Sequence, residues 1–133
     1  MIVAAIDFGR RRIGLAITGE HGVVLPVTTI RERSRHASLA AIKTRLAELE
    51  VRQIVVGHPL HQDGTVGELA RAAEKFAAEL RLITSVPVEL YDERLSSFEA
   101  RERLREGAAR RNAQTDAVAA CVILESWLNR NPR

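Results

Sequence analysis

Several residue types that often announce a function are scarce in this chain. Cysteine occurs once, at Cys121, among 133 residues, so no disulfide forms within the chain and no thiolate cluster can hold a soft metal. Aromatic residues make up 4%, too few for a platform on which single-stranded bases stack. The longest apolar run, residues 117–124, falls far short of the about 20 residues that cross a bilayer, so no membrane span is expected. The first eight residues carry no basic leader and hold Asp7 inside their apolar stretch, which does not read as a secretory signal. Together with the lone cysteine this gives the expectation of a cytoplasmic protein. Repeats, linkers and low-complexity stretches are also missing, and a chain of this length buries enough surface for one core. A single domain over residues 1–133 is expected.

What the chain has in abundance is arginine. Eighteen of its twenty cations are Arg, the exceptions being Lys43 and Lys75, and the formal net charge is +3. A sequence pI near 9.7 suits a polyanionic partner, because guanidinium forks match phosphate oxygens. Bulk charge is only a footprint, and an arginine-rich chain can equally reflect composition alone.

The apolar pattern changes period along the chain. Residues 2–7, 13–18 and 23–30 read as strands separated by Gly9, Arg10 and the turn 19–22, which makes an antiparallel meander. From Ser38 onward, Leu39, Ile42, Leu46 and Leu49 recur at helical spacing, and a strand follows at 53–57. Gly64 and Thr65 open a second helix whose Leu69, Ala72, Ala73, Phe76 and Leu80 share a face, and Pro87 starts a strand through Tyr91. Ser96 and Ser97 are candidate caps for a third helix ending near Gly107. A last helix runs from about Ala113 to Asn129. This order predicts an α/β fold with a mixed five-stranded sheet, its first three strands antiparallel, flanked by helices.

Three acidic positions do not fit a purely structural role. Asp7 closes a first strand that the pattern buries, where a carboxylate is costly unless it is paired or holds a cation; a solvated strand-end Asp is the alternative. Asp116 shares its helical stripe with Ala119, Ala120, Ile123, Leu124 and Trp127, so it sits on the core side of its helix, although a first-turn Asp also suits the helix dipole. Asp92 and Glu93 follow the strand ending at Tyr91. They project in roughly opposite directions, so one can face a site while the other contacts Arg94 or a helix N-terminus. Carboxylates without a Cys or His cluster suit hard cations such as Mg²⁺ and Mn²⁺. Two such ions activate water against a phosphodiester, and cleavage of a nucleic-acid backbone follows as the expected chemistry.

Four separated strings carry a resemblance that spans the chain. Ile6-Asp7-Phe8-Gly9 through Arg12-Ile13-Gly14, Val55-Val56-Gly57-His58-Pro59-Leu60 with Asp63-Gly64, Tyr91-Asp92-Glu93-Arg94-Leu95-Ser96-Ser97, and Thr115-Asp116-Ala117-Val118-Ala119-Ala120 with Ile123-Leu124 resemble the YqgF family, also called RuvX. The resemblance implies an RNase H-like fold and a Mg²⁺- or Mn²⁺-dependent nuclease, with two ions held by Asp7, Glu93 and Asp116 as catalytic and metal-binding residues. By that analogy Glu93 outranks Asp92. Processing of the 5′ end of pre-16S ribosomal RNA is the activity the resemblance implies first. Holliday junction resolution on branched DNA is the alternative, and a catalytically silent RNA-binding module on the same fold is a further one.

The chain departs from the family pattern at Arg11, where Lys is usual, at His58 and His61, where an apolar residue and Asn are common, and at Thr115. His58 and His61 are a weak metal pair and could instead contact phosphate. Arg10, Arg11 and Arg12 lie just beyond Asp7 and are the expected nucleic-acid-binding residues, whereas Arg31, Arg33, Arg35 and the cluster between Arg101 and Arg111 read as solvated faces. An actin-like ATPase would need two such domains, and Asp7-Phe8-Gly9 is misplaced for a kinase magnesium motif. A monomer or a homodimer is expected, with Cys121 as a buried thiol.

Overall fold

The computed structural model describes residues 1–96 and 115–131, with Thr115 and Asp116 described by their backbone only. In chain order come β1 (Ile2–Phe8), β2 (Ile13–Thr18), β3 (Val24–Ile30), α1 (Arg35–Glu48), β4 (Val51–His58), α2 (Glu68–Ile83), β5 (Val88–Asp92) and α3 (Thr115–Arg130), with 3-10 turns at Glu20–Gly22 and Glu93–Leu95. The helix expected from Ser96 or Ser97 to Gly107, and the arginines between 101 and 111, lie beyond Ser96 and outside the described residues.

The strands form one sheet of order β3-β2-β1-β4-β5. β1, β2 and β3 pair antiparallel, while β4 lies parallel to β1 and β5 parallel to β4. The chain therefore builds outward from β1 on one side through β2 and β3, then crosses over α1 to restart on the other side at β4. Ligands in sheets of this kind gather where the winding reverses, outside the carboxyl ends of the strands. Here that point lies between the ends of β1 and β4, beside Asp7.

Alternation along β1 distributes the core. Ala4, Ile6 and Phe8 face the layer made by α1 and α2, packing with Ile42, Leu46, Phe76 and Leu80, whereas Val3 and Ala5 face α3 with Ala120, Ile123, Leu124 and Trp127. Both faces of β1 are covered, which is why its residues read as a continuous apolar run rather than an alternating one. Phe8 and Phe76 stack with ring centroids 4.7 Å apart. Cys121 is buried, as its place on the last helix suggested.

Element ends differ from expectation where side chains compete for the backbone. α1 begins at Arg35 rather than Ser38, because the Ser34 hydroxyl accepts a bond from Ala37 N and caps the first turn. α2 begins at Glu68 rather than at Gly64 and Thr65, because the Asp63 carboxylate accepts bonds from both Thr65 N and Thr65 Oγ1 and Gly64 takes φ +88°, which closes a turn instead of opening a helix. β4 extends from Val51 to His58, beyond the expected 53–57.

Candidate active site

Asp7 is the last residue but one of β1. It is half-buried and pairs in register with Gly14 of β2. On its other side the register Ile6 to Val56, continued by one residue, brings Gly57 of β4 alongside. Asp7 thus stands between two residues without side chains, Gly14 and Gly57. By strand alternation Asp7 shares the face of Val3 and Ala5, the face covered by α3.

Glu93 reaches the same face from β5. A Cβ added to Gly57 would lie 2.7 Å from Glu93 Oε2 and 2.6 Å from Ile123 Cδ1, so the carboxylate occupies the space that a side chain at 57 would fill. The turn carrying Glu93 is clamped to α3. The Ser126 hydroxyl donates to Leu95 O at 3.3 Å and lies 2.7 Å from the Tyr91 hydroxyl, while Trp127 Nε1 donates to Glu89 at 3.0 Å. Ile123 lies level with Gly57, and Trp127 meets Glu89 farther back along β5. The helix therefore runs against the strand direction, its N-terminus toward the strand ends. Asp116 stands in its first turn on the stripe of Ala120, Ile123 and Trp127, while the Asp116 side chain lies outside the described residues.

Asp92 turns the other way. Its carboxylate caps the 3-10 turn by accepting from Arg94 N at 2.9 Å and takes the Arg94 guanidinium at 2.7 Å, and that guanidinium also donates to Gln62 O. The hydrogen bonds from Arg94 hold the Asp92 carboxyl below the usual carboxylate range, against a smaller cost of burial. Asp92 therefore ties the 58–67 loop to the end of β5. Asp63 in that loop is lowered as well, chiefly by the hydrogen bond from the Thr65 hydroxyl.

The two histidines go to different partners. His58 Nε2 lies 2.7 Å from Glu74 Oε2 of α2, while the His61 ring packs where a Cβ on Gly67 would stand. Among the described residues no group of three His, Cys, Asp or Glu side chains forms a metal cage.

Arg10, Arg11 and Arg12 form the exposed turn between β1 and β2. Gly9 N donates to Arg12 O at 3.0 Å, and a Cβ on Gly9 would fall 2.6 Å from that oxygen, so the tight turn that presents the arginines requires glycine. Arg10 meets Glu68 at 3.6 Å with both side chains exposed, a contact worth little. Sequence reasoning assigned Arg33 and Arg35 to a solvated face. Instead Arg35 lies over the Phe8 ring at 4.8 Å and bonds Glu79 at 2.9 Å, an arrangement that single-sequence spacing does not reveal.

A mixed sheet with this strand order, covered on both faces by helices, defines an RNase H-like domain. The RuvX model, described as Holliday junction resolvase, matches residues 1–130, and the chain belongs to that family. A relative from Anaeromyxobacter sp. (strain Fw109-5), 49% identical over 128 residues and 93% of each chain, carries the name "Putative pre-16S rRNA nuclease", as does one from Dechloromonas aromatica, 45% identical over 94% of this chain and 88% of its own. Among solved structures, Thermus thermophilus RuvC superposes with a TM-score of 0.66 at 15% identity over 98% of this chain and 96% of its own, and the fowlpox virus Holliday junction resolvase with 0.60 at 11% over 98% and 99%. At such identities the likeness is one of fold. Family and fold together make the chain a hydrolase acting on nucleic acid. No helix among the described residues is long and apolar enough to cross a membrane.

Proposed function

We propose that this chain is a divalent-metal-dependent nuclease that processes the 5′ end of pre-16S ribosomal RNA, with Asp7, Glu93 and Asp116 as its catalytic and metal-binding residues. The observation that carries the reading is the Glu93 carboxylate lying on Gly57, on the face and at the strand ends where Asp7 stands and toward which α3 points its first turn. The donor set is all oxygen, the chemistry that Mg²⁺ and Mn²⁺ select. When bound, such ions supply a nucleophile from water at neutral pH and neutralise the charge that develops on the phosphate.

The chain's own residues do the rest. Gly57 leaves room for the Glu93 carboxylate to lie against β4, and Gly14, in register with Asp7 on β2, puts no side chain of its own beside that carboxylate. The clamp from Ser126 and Tyr91 holds the turn bearing Glu93, so that its orientation is set before substrate arrives. Arg10, Arg11 and Arg12, one turn beyond Asp7, offer guanidinium forks to the phosphates flanking the scissile bond.

The substrate rests on the names of relatives 45–49% identical over nearly the whole chain. Holliday junction resolution is the second reading, favoured by the likeness to resolvases from Thermus thermophilus and fowlpox virus. Purified chain with Mg²⁺ or Mn²⁺ is to be offered precursor RNA carrying the immature 16S 5′ end, unstructured RNA and a four-way DNA junction. Preferential cutting of the precursor is expected, with Asp7→Asn and Glu93→Gln lowering the rate by at least a hundredfold. Preference for the junction would move the assignment to resolvase. Undiminished cleavage by Asp7→Asn would sink the site, and wild-type protein that binds RNA without cutting it would leave a binding module.

A further inference from the structure

A second cleft lies on the opposite face of the sheet from the carboxylates. About 100 Å³ in volume, it is lined by residues 8–11 and 13 of the first hairpin, residues 32–35 and Ser38. That volume is the share of about three water molecules, suited to a tetrahedral oxyanion and too small for a nucleobase with its sugar. The lining is strongly cationic. Arg11 and Arg33 have no acidic partner among the described residues, and the exposed Glu32 is the acid on the rim.

Two further features point into this cleft. It opens at the N-terminus of the 14-residue α1, where the Ser34 hydroxyl and carbonyl are already occupied by Ala37 N and Ser38 N. The N–H groups of Arg35 and His36 are left without a partner among the described residues, and such groups favour an anion. Independently, Ser38 is only 8% exposed and lines the cleft, yet its hydroxyl makes no hydrogen bond among the described residues. The hydroxyl is open to the cleft rather than sealed in the core, so a phosphate oxygen entering there would accept its proton.

We propose that this cleft is a phosphate subsite for the nucleic-acid strand, with Arg11, Arg33, Ser38 and the first N–H groups of α1 as its donors. The proposal rests on the nuclease reading and adds to it: the Arg10–Arg12 turn straddles the end of the sheet, so a strand crossing it would meet the carboxylates on one face and this subsite on the other. Arg35 is excluded as a donor because Phe8, Phe76 and Glu79 hold it.

The test uses the full chain with divalent ions chelated, so that binding is read without cleavage, and follows fluorescence anisotropy of a labelled RNA hairpin and a labelled four-way DNA junction against salt. Arg33→Ala and Arg11→Ala are each expected to reduce the slope of log affinity on log salt by about 0.7–0.9. Ser38→Ala is expected to weaken binding about tenfold at fixed salt, and Glu32→Gln to tighten it. Should Ser38→Ala fail to fold, the exposed Arg33 decides alone: an unchanged slope and affinity overturns the proposal. Inorganic phosphate titrated into ¹⁵N-labelled protein should shift the Arg35 and His36 amides and compete with RNA. Shifts without competition would make this a site for free anions and overturn the strand assignment. Loss of cleavage in Asp7→Asn beside unaltered binding in Arg33→Ala removes the subsite and leaves the nuclease, whereas retained cleavage in Asp7→Asn removes the nuclease site and leaves the binding result standing.

Discussion

A methyl group at Gly57 would bring a Cβ to 2.6 Å from Ile123 Cδ1 and 2.7 Å from Glu93 Oε2, closer than either neighbour tolerates. Gly57→Ala is therefore expected to cost about 1–3 kcal/mol of stability through overpacking and to displace the Glu93 carboxylate. Thermal melting and the cleavage assay, run on one preparation, should show both losses together. The neighbouring acids behave differently. Asp92 bonds Arg94 and sits 24% exposed, so Asp92→Asn should lower stability by only about 0.5–1 kcal/mol at neutral pH while leaving metal affinity intact, whereas Glu93→Gln should do the reverse. Because Arg94 depresses the Asp92 carboxyl, its contribution is fully present above the unfolded value of about 4 and disappears as pH falls through the lower native value. Denaturation midpoints of wild type and Asp92→Asn are expected to converge below that point; a gap that persists in acid would contradict the assignment. Adjacent in sequence, these two carboxylates are told apart by what lies beside them: a guanidinium for one, a glycine for the other.

Among the elements, α3 has the widest reach. It covers the face of Val3, Ala5 and Val55, and through Ser126 and Trp127 it holds the strand and turn that carry Glu93. Ser126→Ala removes the link to Leu95 and Tyr91 without opening the core. It should lower cleavage severalfold with a smaller change in melting temperature, which kinetics at saturating substrate would register in kcat. On the other face, Phe76 is fully buried against Phe8, and Phe76→Ala is expected to cost about 3–5 kcal/mol as measured by urea denaturation. The Ser34 cap is worth about 1 kcal/mol, yet its larger effect is positional, since it sets where α1 begins and hence where its free N–H groups lie.

Taken whole, the molecule separates its charges by place more than by number. A net charge of +3 is too small to account for nucleic-acid affinity by itself, but Arg10–Arg12 and Arg33 concentrate cations around the strand ends where Asp7 and Glu93 stand. Chelation should abolish cleavage while leaving circular dichroism unchanged, because the described core is closed by apolar packing on both faces of the sheet. Loss of fold on chelation would mean that the ion is structural.

Much of this was legible in the sequence because it is encoded locally. Period-two and helical spacing announced the meander, the final helix and its apolar stripe, and the cost of a carboxylate at the end of a buried strand singled out Asp7. The motif strings carried the family and, with it, Glu93. Other features depend on residues far apart in the chain and required the tertiary structure: that β4 docks against β1 and brings Gly57 beside Asp7, that Asp63 and Thr65 delay α2 to Glu68, and that Arg35 leaves solvent for Phe8 while Arg33 and Ser38 frame a cleft. Spacing records which way a side chain points from its own element. What it meets there is set by strand pairing and helix docking, contacts between segments that no local window contains.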